Sequence, residues 1–136
     1  LLTTPKVDLT FQSFASELSN LPGAYAPPRG CLLLASIDPP LPSMKPHDAV
    51  ACIALRPLPY IHPSVPDSST TAELKRLFTL PSTRGLGLAR LLLSHALCAA
   101  HQQGYTRVVL DTLPSMTAAI SLYRSCGFRE LDGGIL

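Results

Sequence analysis

Residues 81–89, Pro-Ser-Thr-Arg-Gly-Leu-Gly-Leu-Ala, constrain what this chain can fold into more than any other stretch. Upstream, residues 73–80 (ELKRLFTL) set apolar side chains at Leu74 and Phe78 among polar ones, although Leu77 breaks strict alternation. The segment reads as a strand that Pro81 ends. Downstream, residues 86–103 read as a long helix, apolar on more than one face, that Gly104 stops. Two closely spaced glycines between strand and helix let the backbone approach a ligand, and the first amides of a helix have no intrahelical partner. Such a turn is an anion site, reinforced by the positive end of the helix dipole. The dinucleotide fingerprint needs a third glycine where this chain has Arg90, and the nucleoside-triphosphate loop needs a Gly-Lys-Ser/Thr that is missing. What remains is R-G-x-G-x-A over residues 84–89, which suits a diphosphate held by successive amides with Arg84 beside it.

Around this unit the chain divides by its prolines. Twelve of the 14 fall between Pro5 and Pro66, so loops punctuate the front half and the longer elements lie in the back half. Helical spacing of Phe11, Phe14, Ala15, Leu18 and Leu21 predicts a helix over 9–21, closed by Pro22-Gly23. Apolar runs predict strands over 31–37 and 49–55, separated from the strand at 73 by a Pro- and Ser-rich loop over 55–71 with the length of an insertion. Residues 107–113 (RVVLDTL) read as a strand, 117–126 as a helix ended by Gly127, and a short strand follows from Phe128. The order predicts an α/β (α+β) fold, a mixed sheet covered by helices. The strands containing Leu77 and Val109 should be parallel neighbours that splay apart beyond Leu80.

With 136 residues the chain is one domain's worth, 1–136, able to bury roughly 68% of its unfolded surface. Hydrophobic residues at 46% and charged ones at 15% exclude wholesale disorder. A formal charge of +2 gives no general footprint for nucleic acid or an anionic membrane, and neither is an expected partner. No apolar run approaches the ~20 residues of a membrane helix. Cys31, Cys52, Cys98 and Cys126 lie in or beside apolar segments without a C-x-x-C pair, and read as buried free thiols in a reducing, cytoplasmic setting. His95 and His101 point about 120° apart on one helix, so no metal is expected.

Two motifs together resemble the GNAT (Gcn5-related) N-acetyltransferases. One is the R-G-x-G-x-A turn; the other is Ala119-Ile120-Ser121-Leu122-Tyr123-Arg124-Ser125-Cys126-Gly127-Phe128, which looks like the family's A-x-x-L-Y-x-x-x-G-F segment. The spacing from Glu73 to Arg84 also agrees with the family pattern, and the resemblance covers about residues 49–130. Met116 stands where many relatives carry an Asn seven residues before the Tyr. The resemblance implies a mostly antiparallel GNAT-like acyl-CoA fold whose first strand, most of whose first helix and whose closing hairpin lie outside these residues, leaving the domain partial at both ends.

The same resemblance implies acetyl-CoA as cosubstrate, no metal, a small-molecule or peptide amine as acceptor, and a monomer or homodimer. Cofactor contacts would fall on Leu77, Phe78 and Thr79, pairing with pantetheine as a strand does, and on Arg84, Gly85, Leu86, Gly87, Leu88 and Ala89. Tyr123, with a reference pKa of about 10, would protonate a departing thiolate. Glu73 is the candidate base, against a solvated carboxylate as the plain alternative. Cys126 has no evident partner base and reads as a packed thiol; Lys75 and Arg76 read as a solvated edge. The implied activity is acetyl transfer to a primary amine by direct attack, with no covalent intermediate. The rivals are a catalytically degenerate acyl-CoA-binding domain and a nucleotide-phosphate binder of another α/β family.

Overall fold

The computed structural model describes residues 19–61 and 65–131. Four strands, β1 (Cys31–Ala35), β2 (Ala51–Pro57), β3 (Thr71–Thr79) and β4 (Arg107–Val109), form one open sheet in the order β1-β2-β3-β4. Helix α1 (Leu88–Gln102) crosses from β3 to β4, and α2 (Thr117–Ser125) follows β4. The β1–β2 and β2–β3 pairs are antiparallel and β3–β4 is parallel, giving the expected mixed, mostly antiparallel sheet. The helix expected over 9–21 lies almost entirely outside the described residues.

Helix α1 holds its place by burial. Leu92, Leu93, Ala96 and Ala100 form its inner stripe and meet Ala51, Ile53 and Leu55 of β2 and Ala72 and Leu74 of β3. Burying a leucine is worth roughly 1.5–3 kcal/mol, which a helix of this length needs, being marginal alone. Its opposite side leaves Leu91 half exposed and Cys98 exposed. The cysteines are all free, but none is fully buried; the expectation of buried thiols fails because Cys98 faces away from the inner stripe.

Apart from shifts of one or two residues at the ends of the other strands and of the helices, three features depart from the sequence reading. The apolar run after residue 107 pairs only as Arg107–Val109, with partners Thr71, Ala72 and Glu73, so β4 is three residues long. The two strands therefore part after Glu73 and Val109, well before Leu80. The cause lies in β3, where the register against β2 slips between Cys52 and Ala54 and Arg76 takes φ 62°. That bulge inserts an extra residue, bends the strand and turns the later side chains. The Cys52 thiol closes it by donating to the Arg76 carbonyl at 3.1 Å. Lastly, no strand starts at Phe128: residues 128–130 are irregular and Leu131 forms a single bridge.

The end of α2 explains why Gly127 and Phe128 stand where they do. Gly127 takes φ 98°, its N–H donates to the Arg124 carbonyl at 3.0 Å, and the Phe128 N–H donates to the Tyr123 carbonyl at 3.0 Å. This is a Schellman cap, and the apolar contact that completes it is Phe128 edge-on to Tyr123 with ring centroids 5.8 Å apart. The Gly-Phe pair thus fixes the position of the Tyr123 ring. Gly127→Ala should cost about 1–2 kcal/mol, the price of a left-handed alanine, and should lower the urea midpoint without changing the m-value.

Candidate active site

The turn between β3 and α1 begins with Pro81–Thr83, a single 3₁₀ turn closed by Thr83, whose N–H and hydroxyl both donate to the Leu80 carbonyl at 2.9 and 2.8 Å. Gly85 and Gly87 then take φ 88° and 80°, where a side chain is strained, and open space lies over both. Gly87 precedes the first turn of α1 without a capping side chain, so the helix's leading amides remain available. This turn forms one wall of a cleft of about 640 Å³. The opposite wall is the start of α2, from Ser115 through Ala119, and Leu77, Phe78 and Thr79 of β3 form its side. Two helix N-termini therefore converge on one space.

Most residues expected to hold a ligand do line this cleft: Leu77, Phe78, Thr79, Arg84, Gly85, Gly87, Leu88 and Ala89. Leu86 does not; it is 63% exposed and absent from the lining. Arg84 folds back to donate to the Thr79 carbonyl at 3.3 Å. Arg90, noticed in the sequence only for breaking the dinucleotide pattern, lines the cleft and ties α1 to α2 by donating to Ser125 Oγ at 2.8 Å and Cys126 Sγ at 3.5 Å. Met116, half exposed, borders the cleft at the start of α2. The helix start at Thr117 is as the sequence reads, but nothing local shows that this terminus faces the turn before α1.

Where β3 and β4 part, a smaller gap of about 210 Å³ opens. Leu77, Met116 and Tyr123 line both spaces, so Tyr123 stands at their junction. It is 8% exposed, and burial pushes its phenol above the usual tyrosine range. The hydroxyl therefore keeps its proton at neutral pH.

Glu73 is not a solvated carboxylate: it is 2% exposed, and Arg56 donates to its Oε1 from Nε at 2.9 Å and from Nη2 at 2.8 Å. Nor is it beside Tyr123. Its register partner Val109 packs with Leu58 and Val65 on the far face of the sheet, whereas Leu74, Leu110 and Tyr123 belong to the core under the helices. Tyr60 lies on Glu73's side: its phenol is pushed up by burial first, then by the charges of Glu73 and Asp111. Lys75 and Arg76 border the gap and not the glycine turn.

The chain as a whole matches a known protein class. Residues 11–128 fit the model of the acetyltransferase (GNAT) family. This chain belongs to that family. An uncharacterised N-acetyltransferase of Schizosaccharomyces pombe is 34% identical over 127 residues, 93% of this chain and 68% of the relative. N-acetyltransferase 8 of Homo sapiens is 28% identical over 128 residues, again 93% of this chain but 50% of the relative. Among solved structures, a GNAT acetyltransferase of Staphylococcus aureus superposes with TM-score 0.69 at 22% identity, covering 87% of this chain and 65% of that one. An aminoglycoside N-acetyltransferase in complex with CoA superposes with TM-score 0.68 at 20% identity, over 98% of this chain and 93% of that one. At such identities the likeness concerns the fold, and the match to this GNAT chain spans less than half the length of other curated relatives, such as 28% of an uncharacterised N-acetyltransferase of Dictyostelium discoideum.

Two substitutions separate charge from shape at the turn. Aspartate and asparagine both tolerate a left-handed backbone, so Gly87→Asp and Gly87→Asn should both fold. The aspartate alone sets a negative charge at the α1 N-terminus and should weaken CoA binding by at least ~10-fold more than asparagine does, measured by calorimetry.

Proposed function

We propose that this GNAT domain transfers an acetyl group from acetyl-CoA to a primary amine by direct attack. The observation that carries this reading is the junction at Tyr123, where the glycine-turn cleft meets the gap between β3 and β4. The residues fit the cosubstrate: left-handed glycines with open space above them, free amides at two helix starts, two arginines, and a strand edge lacking a strand partner beyond Glu73 among the described residues. When bound, CoA supplies the acyl group as an activated thioester.

The chain's own groups divide the remaining work. The amides of the turn and the guanidinium of Arg84 hold the diphosphate, which requires Arg84 to leave the Thr79 carbonyl. Leu77, Phe78 and Thr79 pair with the pantetheine amides as an added strand would, and a backbone N–H there polarises the thioester carbonyl. Tyr123 Oη holds the proton that the leaving sulfur takes. Burial makes the phenol a weaker acid, and the same burial raises the proton affinity of a thiolate formed beside it, so the two stay matched. Glu73 accepts the amine's proton through water from the far face of the sheet, with Arg56 as its counter-charge. The acceptor is a small-molecule or peptide amine, and four free thiols support a reducing, cytoplasmic setting.

A catalytically degenerate acyl-CoA binder is the rival, favoured by Met116 at the mouth of the cleft. Release of free CoA with a panel of amines separates the two. In the active case, Tyr123→Phe should lower kcat by ~10²-fold or more with acetyl-CoA affinity within a few fold, because general acids contribute ~10²–10⁴. Normal kcat with a lowered melting temperature would remove Tyr123 from the mechanism. Arg56→Met strands a buried carboxylate and should cost about 3 kcal/mol, whereas the double change Arg56→Met with Glu73→Gln should recover part of that stability in urea unfolding.

A further inference from the structure

We infer that Arg90 is a positioning residue: it braces the last turn of α2, which carries Tyr123, against the first turn of α1, and leaves the diphosphate to Arg84. The inference rests on the acyl-CoA reading above and adds Arg90 and Ser125 to the groups that shape its cleft.

Arg90 is the third residue of α1, where a cation opposes the dipole of its own helix, and no acidic residue in that first turn offsets it. It has no carboxylate partner among the described residues. A charge so placed beside a cleft suits either a bound phosphate or a second element, and the hydrogen bonds decide between them. Nη2 donates to Ser125 Oγ at 2.8 Å and Nη1 to Cys126 Sγ at 3.5 Å, so both prongs of the guanidinium close on consecutive residues at the end of α2. There the last carbonyls of α2 carry the partial negative charge that favours a cation. Arg84, by contrast, is held by an exposed bond of 3.3 Å to the Thr79 carbonyl and is the arginine that turns readily to an anion.

Ser125 is placed to receive the guanidinium. Its hydroxyl donates to the Leu122 carbonyl at 2.7 Å, which commits the proton and leaves the oxygen lone pairs as acceptors. The two bonds from Arg90 are the only side-chain hydrogen bonds between α1 and the end of α2 among the described residues. What they join matters. Leu88 and Ala89, just before Arg90, line the cleft on the α1 side; Leu122 and Tyr123, on the turn that ends at Ser125, line it on the α2 side. A brace across these walls holds the glycine turn and the Tyr123 phenol at a fixed separation before the cosubstrate arrives, so less ordering remains at binding. Ser125 itself is exposed and does not line the cleft, so its effect on binding passes through Arg90.

Binding reads this without any acceptor. Acetyl-CoA is titrated by calorimetry into wild type, Arg90→Met, Ser125→Ala and the double variant, with the melting temperature taken on each preparation. A brace predicts binding weakened about tenfold by Arg90→Met and about threefold by Ser125→Ala, with the double variant no weaker than Arg90→Met alone. Ser125→Thr, which keeps the hydroxyl, should recover most of the affinity lost in Ser125→Ala. A phosphate-binding Arg90 gives the opposite pattern: Ser125→Ala releases the guanidinium toward the cleft and binding stays the same or tightens. That result would overturn the brace, as would losses that add in the double variant. Lowered melting temperatures with unchanged affinity in both single variants would reduce the contact to stability and overturn it too. If Arg90→Met does not fold, the two Ser125 variants still decide. Each of these outcomes leaves the acyl-CoA reading standing, whereas failure of wild type to bind acetyl-CoA would overturn both.

Discussion

The three-residue pairing between β3 and β4 is the constraint on which everything else depends. Parallel strands joined through a helix normally zip along their length, and the apolar run after Arg107 has the composition to continue. Here pairing stops at Glu73 and Val109. The bulge at Arg76 bends β3 away from its neighbour while keeping its other edge on β2, where Cys52 and Ala51 pair with Phe78 and Thr79. Beyond Glu73, β3 is thereby paired on one edge only among the described residues, and the opening it leaves is bordered by Met116, the residue before α2. A bulge with a left-handed arginine is costly, which is consistent with its service to a site and not to stability.

The helices supply what the opening lacks. Their N-termini meet across the cleft, and neither carries a side-chain cap. An uncapped helix start forgoes about 1 kcal/mol that a serine or aspartate would contribute. Leaving it uncapped makes sense where an external anion is to take those amides. Arg90 joins the two helices through Ser125 and Cys126, so the walls that would hold a diphosphate are tied to each other. On the far face, the Arg56–Glu73 pair is held within the sheet and shares its surroundings with Tyr60. The sheet thus separates the side that carries the glycine turn from a titratable side, and the gap opens between them.

Parts of this were legible in the sequence because the physics behind them is local. Gly85 and Gly87 need a left-handed backbone and announce the turn; Gly127 announces the end of the helix that carries Tyr123, whereas Phe128 reads as a strand start and instead completes the cap. The mixed sheet followed from element order. Other parts depend on register, which no local pattern carries. Arg56 meets Glu73 only because β2 and β3 pair with a particular offset, and the bulge that sets the offset sits at Arg76, without the glycine or asparagine that would signal it. The length of β4 is overread for the same reason: RVVLDTL has strand composition throughout, but its last four residues have no strand partner among the described residues. Arg90 and the start of α2 became part of the site through tertiary convergence alone.

The stretch of β3 beyond Glu73, unpaired on one edge among the described residues, and the start of α1 are the segments proposed to receive the acyl-CoA. Amide hydrogen exchange reads that contact directly, residue by residue, with and without saturating acetyl-CoA. The account predicts slowed exchange at amides among Leu77, Phe78 and Thr79 and in the first turn of α1, with β1 unchanged. Slowed exchange confined to other regions, while calorimetry on the same sample shows acetyl-CoA bound, would contradict it.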